Sequence, residues 1–379
     1  MKKWFALMLC CCLLLSALSA FADVAGDIAA GEAMSHDELV EKAKAETGTF
    51  IVYGNTSRIE TAAAAFSELY GIDFLSTNVK DQEIYTKLRN ESGAEAADMV
   101  MIQDGAQLTD AIAEGLVMNF LPASVKGEVA EADQNPLVHQ FINKLFIYNN
   151  LGDDAPAIKN VWELTDPAFK GRVIFKNPES EKVNMNFLVM LTSDKWSEKL
   201  AEAYKNWKGE DIDLGEYQNA GYKWIAEFLA NCTFGKSDTT IAEEVSQETA
   251  AGKIGLFVLS KLRSSSVLTD NLTVAQYDAT ANGYAVEPFS GFMYPMYTMV
   301  NVKATRPYTA MLFIEYLMTQ EGFEPWGKSI GAYSPIADIK VNEGDLTIDV
   351  WKDTLVVEDS AYILDAGVDV EDFILACLQ

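Results

Sequence analysis

The sequence predicts an α/β fold in two lobes, and three observations carry that reading. The chain has 379 residues, more than one ordinary core organises. From residue 50, short apolar runs alternate with helix-periodic stretches across tight loops, the pattern of a parallel sheet covered on both faces. Near residue 145 the alternation starts again.

The elements follow in order. An alanine-rich helix is expected over about 31–46. "GTFIVYGN" reads as a strand, and "RIETAAAAFSELYG" as a helix with Ile59, Ala62, Phe66, Leu69 and Tyr70 on one stripe and Gly71 as its stop. "IDFLSTN" is a strand, "QEIYTKLRNES" a helix, "ADMVMIQD" a buried strand and "AQLTDAIAEG" a helix. After the restart, "KLFIYNN" is a strand, "VWELTDPAFKG" a short helix and turn, and "RVIFKNP" a strand. A long helical region is expected from about 185 to 208, then an inserted loop, "GEDIDLGEYQNAG". "YKWIAEFLAN" and "DTTIAEEVSQETAAG" read as helices, "KIGLFVLS" as a buried strand and "YAVEPFSGFMYPMYTMVNV" as a long β-rich run. "RPYTAMLFIEYLMTQEGF" is an amphipathic helix with Pro307 in its first turn. The last 45 residues are acidic and partly helical. Two extended runs, near 145–150 and 284–302, are candidates for strands that cross between the lobes. They give a discontinuous first lobe of 23–145 plus 300–379, the latter including a C-terminal extension, and a second lobe of 146–299. Two lobes joined by crossing strands suit a hinge that closes on a ligand.

The composition, 49% hydrophobic and 22% charged, is that of a globular chain. A formal net charge of -27 disfavours nucleic acid and anionic membranes as partners. Residues 1–22 read as a signal peptide: basic "MKK", apolar "WFALMLCCCLLLSAL", and "SAFA" as the cleavage signal. The mature protein is expected to be exported and soluble, in the periplasm or on the cell surface if lipidated, with a charge of about -29. It retains Cys232 and Cys377, which can pair or remain as thiols. No cysteine and histidine spacing suggests a metal site, and no cofactor is implied.

In parallel α/β sheets ligands gather beyond the carboxyl ends of the strands, where helices start. A helix start offers unpaired N–H groups and partial positive charge, which suit an anion. At the first such seam Asn55, Thr56 and Ser57 add donors and Arg58 adds a planar charge able to grip an oxyanion through two hydrogen bonds. Ser57 with Glu60 also has capping-box spacing, and Arg58 also reads as a solvated helix residue. Asp104 closes the strand of a third seam. In the second lobe Ser180 and Asn184 follow a strand and precede a helix. Lys261, Arg263, Ser264 and Ser265 follow "IGLFV" and form the densest basic and hydroxyl cluster in an acidic chain.

The stretches "IVYGNTSRIETAAAAFSELYGI", "ADMVMIQDGAQL", "FIYNN", "NVWELTDPAFKGRVIFKNPES", "GKIGLFVL" and "YTAMLFIEYLMTQEGF" resemble the extracellular solute-binding proteins of ABC importers. The similar branch includes ferric-ion-, thiamine- and phosphonate- or sugar-phosphate-binding proteins. The resemblance covers roughly residues 48–338, and its most specific piece is Trp162 to Gly171. It implies a type II periplasmic-binding-protein fold, with a hinge of crossing strands and a cleft that captures solute. It also implies delivery to an ABC permease in the cytoplasmic membrane by a monomeric binding protein. Ferric-binding members carry paired tyrosines where this chain reads Leu262-Arg263, and a His and a Glu where it has Ser57 and Ile59. Ferric iron wants phenolate and carboxylate oxygens, and an arginine opposes it. The departures therefore favour a small anionic solute, phosphorylated or phosphonate-type. Tyr294, Tyr297 and Tyr333 keep an iron or iron-chelate site as the alternative.

An exported hydrolase is a further alternative, and a structural surface protein another. The histidines are His36 and His139, and neither lies in a catalytic motif. The expectation is a binding protein and not an enzyme.

Overall fold

The computed structural model describes residues 24–152, 158–275 and 286–379, except 329 and 341. The expected signal peptide lies outside the described residues. The chain divides into two compact units. The first comprises the residues up to Gln140, with Met296–Lys328 and Ser334–Lys340. The second comprises Phe141–Pro295, Ser329–Tyr333 and Val341–Gln379.

Twelve strands are described: β1 (Phe50–Gly54), β2 (Phe74–Asn78), β3 (Met99–Ile102), β4 (Val117–Met118), β5 (Val138–Asn149) and β6 (Val173–Lys176). The others are β7 (Cys232–Gly235), β8 (Ile254–Val258), β9 (Leu272–Val274), β10 (Gly291–Asn301), β11 (Ala332–Tyr333) and β12 (Val356–Val357). The boundary between the units falls inside β5, after Gln140, and inside β10, after Pro295. These are the two runs expected to cross. β5 starts at Val138, earlier than the apolar text suggested, because His139, Gln140, Asn143 and Lys144 interrupt that text while being buried in the strand.

In the first unit β1 pairs in parallel with β2 and with β3, and Gly54 lies opposite both Asn78 and Met101. β3 pairs antiparallel with the Tyr297–Val300 stretch of β10. The helix Arg58–Tyr70 buries Ile59, Ala62, Ala63 and Phe66 and ends at Gly71, whose φ of 70° suits a residue without Cβ. Phe66 meets Phe313 edge-on at 5.0 Å, in a cluster with Phe50, Phe74 and Tyr316. Each such pair adds roughly 0.5–1.5 kcal/mol beyond its buried area. Asp98, 1% exposed, accepts from the amides of Ile51, Thr305 and Arg306 and from the Thr305 hydroxyl, at 2.7–3.2 Å. It ties the beginning of β1 to the turn that enters the helix Pro307–Leu317.

In the second unit β6 pairs in parallel with β7 and β8, and β5 runs antiparallel to β8. Gly291 at the start of β10 approaches β5 so closely that a Cβ would stand 2.0 Å from the Lys144 carbonyl oxygen. "VWELTDPAFKG" forms two 3₁₀ turns, Val161–Thr165 and Pro167–Phe169, in place of the expected helix. Trp162 is fully buried there, and its indole N–H donates to Leu200 O at 2.8 Å. The expected long helix is two, Lys182–Leu191 and Asp194–Lys208; Ser193 caps the second through the Trp196 amide. β7 has no counterpart in the sequence reading. It is a half-exposed strand of four residues, too short for a period to stand out.

The C-terminal residues depart from the expected division. They were expected with the first lobe, but Val341–Gln379 belongs to the second unit. The helix Ser360–Cys377 lays Ile363, Gly367, Val370 and Ile374 on the helices Lys182–Leu191 and Ala220–Asn231. Lys182 pairs with Glu371 at 2.7 Å, and β12 lies along β10 at Phe292 and Met293. The cause is an apolar stripe on a helix whose charges are all acidic, matched to a helix that begins with lysine. Cys232 and Cys377 are free thiols. Among the described residues no helix is long and apolar enough to cross a membrane.

Trp351, fully buried, sets its ring near Tyr333 of β11 and donates its indole N–H to Asp345 within its own segment, which in turn accepts from Tyr333. Trp351→Ala is expected to cost about 3–5 kcal/mol of stability, read by chemical denaturation.

Candidate functional site

The first unit collects polar side chains at the carboxyl ends of β1, β2 and β3. The helix after β1 starts close to β3, because a Cβ at Gly54 would stand 2.3 Å from Ile59 and 3.2 Å from the Met101 Cβ. Gly54 thus lets the seam Asn55–Arg58 lie against the end of β3. Ser57 takes the N-cap position, but its hydroxyl makes no capping hydrogen bond; the expected capping box with Glu60 does not form. Ser57 has helical torsions, φ -71° and ψ -11°, which turn the hydroxyl away from the amides it would cap. The Thr56 hydroxyl accepts from the Arg58 amide at 3.2 Å instead. Ser57 is exposed, and Asn55, Thr56 and Arg58 are half-buried.

Asn55 hydrogen-bonds the carboxylate of Asp81, which opens the helix after β2 and also accepts from the Gln103 amide at 3.3 Å. Asp104 caps the helix Gly105–Ala113 through the Gln107 amide. Asp81 and Asp104 are 8% and 3% exposed. Burial, and then the charge of Asp104, push Asp81 up to a pKa of about 7. Near neutrality the pair therefore holds a proton and carries less than its formal charge.

In the second unit the corresponding ends are those of β6 and β8. Lys144, 1% exposed, donates to Asn184 Oδ1 at 2.8 Å and pairs with Asp238 at 3.2 Å. Burial lowers the Lys144 pKa against the opposing pull of Asp238. Burial would raise Asp238, but Lys144 and Lys176 outweigh it and hold the carboxyl below its usual range. Asp238 also accepts from the Val258 amide, fixing the end of β8 to the helix Asp238–Val245. Lys176 pairs with Glu181 as well.

The residues singled out in this unit are dispersed in role. Asn184 is fully buried, donating to Lys176 O and accepting from Lys144, so it is part of the interior. Ser180 is exposed and donates to Asn177 O within its own turn; the helix starts two residues later, after Glu181. Arg263 ends the 3₁₀ turn Leu259–Arg263 after β8 and is exposed. The neighbouring Ser264 hydroxyl bonds Ser266, which donates to Glu243. Tyr294 is buried in β10 beside Phe292, and Tyr297 is buried in the β10 stretch of the first unit.

Tyr333 on β11 is 1% exposed. Its hydroxyl donates to Asp345 at 2.9 Å and accepts from Asn143 at 2.9 Å. Asp345 also accepts from the Gly331 and Leu346 amides and the Trp351 indole. Burial and the Asp345 charge raise the Tyr333 pKa well above the usual phenol range, which opposes phenolate formation. Among the described residues no group of three or more His, Cys, Asp or Glu side chains is arranged to hold a metal ion.

Both histidines lie in the first unit. His36 Nδ1 meets Glu315 at 2.8 Å, tying the helix His36–Ala45 to Pro307–Leu317. His139 packs on Trp326, and burial lowers its pKa to about 3, so it stays neutral.

Asp81, Lys144, Asp238 and Asp345 escaped the sequence reading. Asp81 stands at the second strand-to-helix seam, and a lysine opening the apolar run "KLFIYNN" was a signal of a buried partner. Asp345 had none.

The profile of the bacterial extracellular solute-binding proteins matches residues 52–329. The chain belongs to that family. The type II periplasmic-binding-protein fold recurs in solved structures at low identity. Iron-bound HitA from Pseudomonas aeruginosa is 13% identical with a TM-score of 0.65, covering 87% of this chain and 99% of that one. The ferric binding protein from Campylobacter jejuni is 14% identical with a TM-score of 0.66, over 86% and 99%. An ABC transporter structure from Clostridium perfringens is 12% identical with a TM-score of 0.59, over 87% and 100%. No curated protein matches.

The Asp81 environment has a consequence for pH. An unfolded chain releases this proton near 3.8, whereas the folded chain keeps it to about 7. This group therefore supports folding most below about pH 4, and its contribution falls as pH rises through 7. Asp81→Asn is expected to remove that slope and to be about 2–4 kcal/mol more stable than the parent at pH 8. Denaturation curves between pH 4 and 8 would read it.

Proposed function

We propose that this protein is the solute-binding component of an ABC importer, exported, and that its solute is a small anion of the phosphate-ester or phosphonate class. It captures the solute by equilibrium binding, without turnover, and hands it to a membrane permease. The observation that carries the anion is Arg263. In a chain with 56 acidic and 29 basic residues, its guanidinium is exposed at the end of β8, and no described residue hydrogen-bonds or pairs with it. An exposed arginine without a partner among the described residues is suited to bind a ligand oxyanion bidentately. The first unit supports the reading through the uncapping hydroxyl of Ser57, the helix start at Arg58, and a partly protonated Asp81–Asp104 pair.

A ferric-iron or iron-chelate solute is the second reading. Solved structures of similar fold are named as ferric or iron-bound proteins. Against a bare ferric ion stands Tyr333, whose hydroxyl is already engaged by Asp345.

Arg263→Ala is expected to weaken binding of the solute about tenfold or more. Lys199→Ala, at an exposed residue over Trp196, should leave it unchanged. Equal affinities in the two variants would remove Arg263 from the site. Mass spectrometry of the ligand carried by the native protein, with phosphorus and iron measured together, decides between the solutes. Phosphorus without iron is expected, and stoichiometric iron would replace the anion reading.

A further inference from the structure

At the other end of the first unit's sheet, a hollow of about 380 Å³ opens before the amino ends of β1 and β2. Lys44, Glu46, Thr47, Gly48, Asp73 and Arg306 are among its lining residues. Arg306 is 3% exposed. Its Nη1 donates to the carbonyls of Gly48 and Asp73. Its Nε is fully buried and donates to no described group, and no described residue accepts from Nη2.

The Nε and Nη2 hydrogens lie side by side on one edge of a guanidinium. That edge is the fork that fits two oxygens of a carboxylate or phosphate. A buried guanidinium whose fork makes no hydrogen bond leaves donors unsatisfied, which is costly. Glu46 in the lining feels the Arg306 charge, but neither carboxylate of the lining hydrogen-bonds the fork. Glu46 accepts from the Tyr308 and Thr309 amides and the Thr309 hydroxyl, at the start of the helix Pro307–Leu317. Asp73 is exposed and takes part through its carbonyl. Lys44, exposed in the last turn of the helix His36–Ala45, adds a second positive charge at the rim.

We propose that Arg306 and Lys44 form a second binding site, for a small oxyanion such as a carboxylate or phosphate group. Arg306 grips two of its oxygens through Nε and Nη2, and Lys44 closes on it from solvent. The site lies before β1, whereas Arg58 and Ser57 follow it, so it is separate from the candidate solute site.

The test titrates sodium phosphate and sodium acetate, at constant ionic strength, into the full mature protein. The side-chain Nε–H signals of the arginines and the thermal midpoint are followed. A saturable shift of the Arg306 signal is expected with at least one anion. The midpoint should rise by about 2 °C once the anion reaches ten times its Kd. Arg306→Lys keeps the charge but removes the fork, and should weaken the anion about tenfold or more. Lys44→Gln should weaken it several-fold, and Arg263→Ala should leave it unchanged. If Arg306→Lys does not fold, the wild-type signal and Lys44→Gln decide. An Arg306 signal that responds to neither anion overturns the proposal, since the fork then meets only water. So does an affinity unaltered by Lys44→Gln, or a response abolished by Arg263→Ala, which would assign the anion to the solute site and leave that reading intact.

Discussion

The carboxylate of Asp98 is the constraint on which the first unit rests. It sits just before β3, accepts four hydrogen bonds, and so locks the start of β1 to the turn carrying Thr305 and Arg306. Burial raises its pKa, and the donated hydrogen bonds pull it back. With the strand starts pinned, the register of β1 with β2 and β3 follows, and the strands' carboxyl ends come level at Gly54, Asn78 and Met101. The seams that hold Asn55, Asp81 and Asp104 are level for the same reason. Both ends of this sheet therefore owe their chemistry to one buried acid: the polar cluster at one, the Arg306 hollow at the other.

Charge in this protein is managed locally. The bulk is strongly acidic, yet the second unit buries a lysine under its sheet ends and balances it with Asp238 and Asn184. Removing one partner of such a pair leaves a charge in a medium that solvates it poorly, which is far more costly than the pair itself. In the first unit the problem is the reverse, two buried carboxylates that repel, and Asp81 meets it by keeping its proton up to a pKa of about 7. Arg263 is the contrasting case, an exposed charge with no hydrogen-bond or ion-pair partner among the described residues.

Strand and helix alternation was legible because the strands are nearly all apolar and the helices carry one greasy stripe; Phe50–Gly54 and Arg58–Tyr70 match their patterns closely. What escaped was whatever depended on distant partners. Ser57 had the spacing of a cap, but the backbone torsions of the turn withdrew it. Asn184 looked like a donor at a helix start, but Lys144, forty residues earlier, took it into the interior. Lys144 broke an apolar run and its carboxylate lay 94 residues on, beyond any periodicity. Tyr333 gave no hint of Asp345, because a phenol reads the same whether or not it is engaged.

The C-terminal helix reaches back to Lys182 across 189 residues of chain. The family match stops at residue 329, short of this helix. Synthesis runs from the amino end, so the face of Lys182–Leu191 that this helix covers stays open until Ser360–Cys377 has emerged. The second unit therefore cannot finish packing before the segment Ser360–Cys377 has been made, and a chain cut short of it would leave that face of Lys182–Leu191 to water.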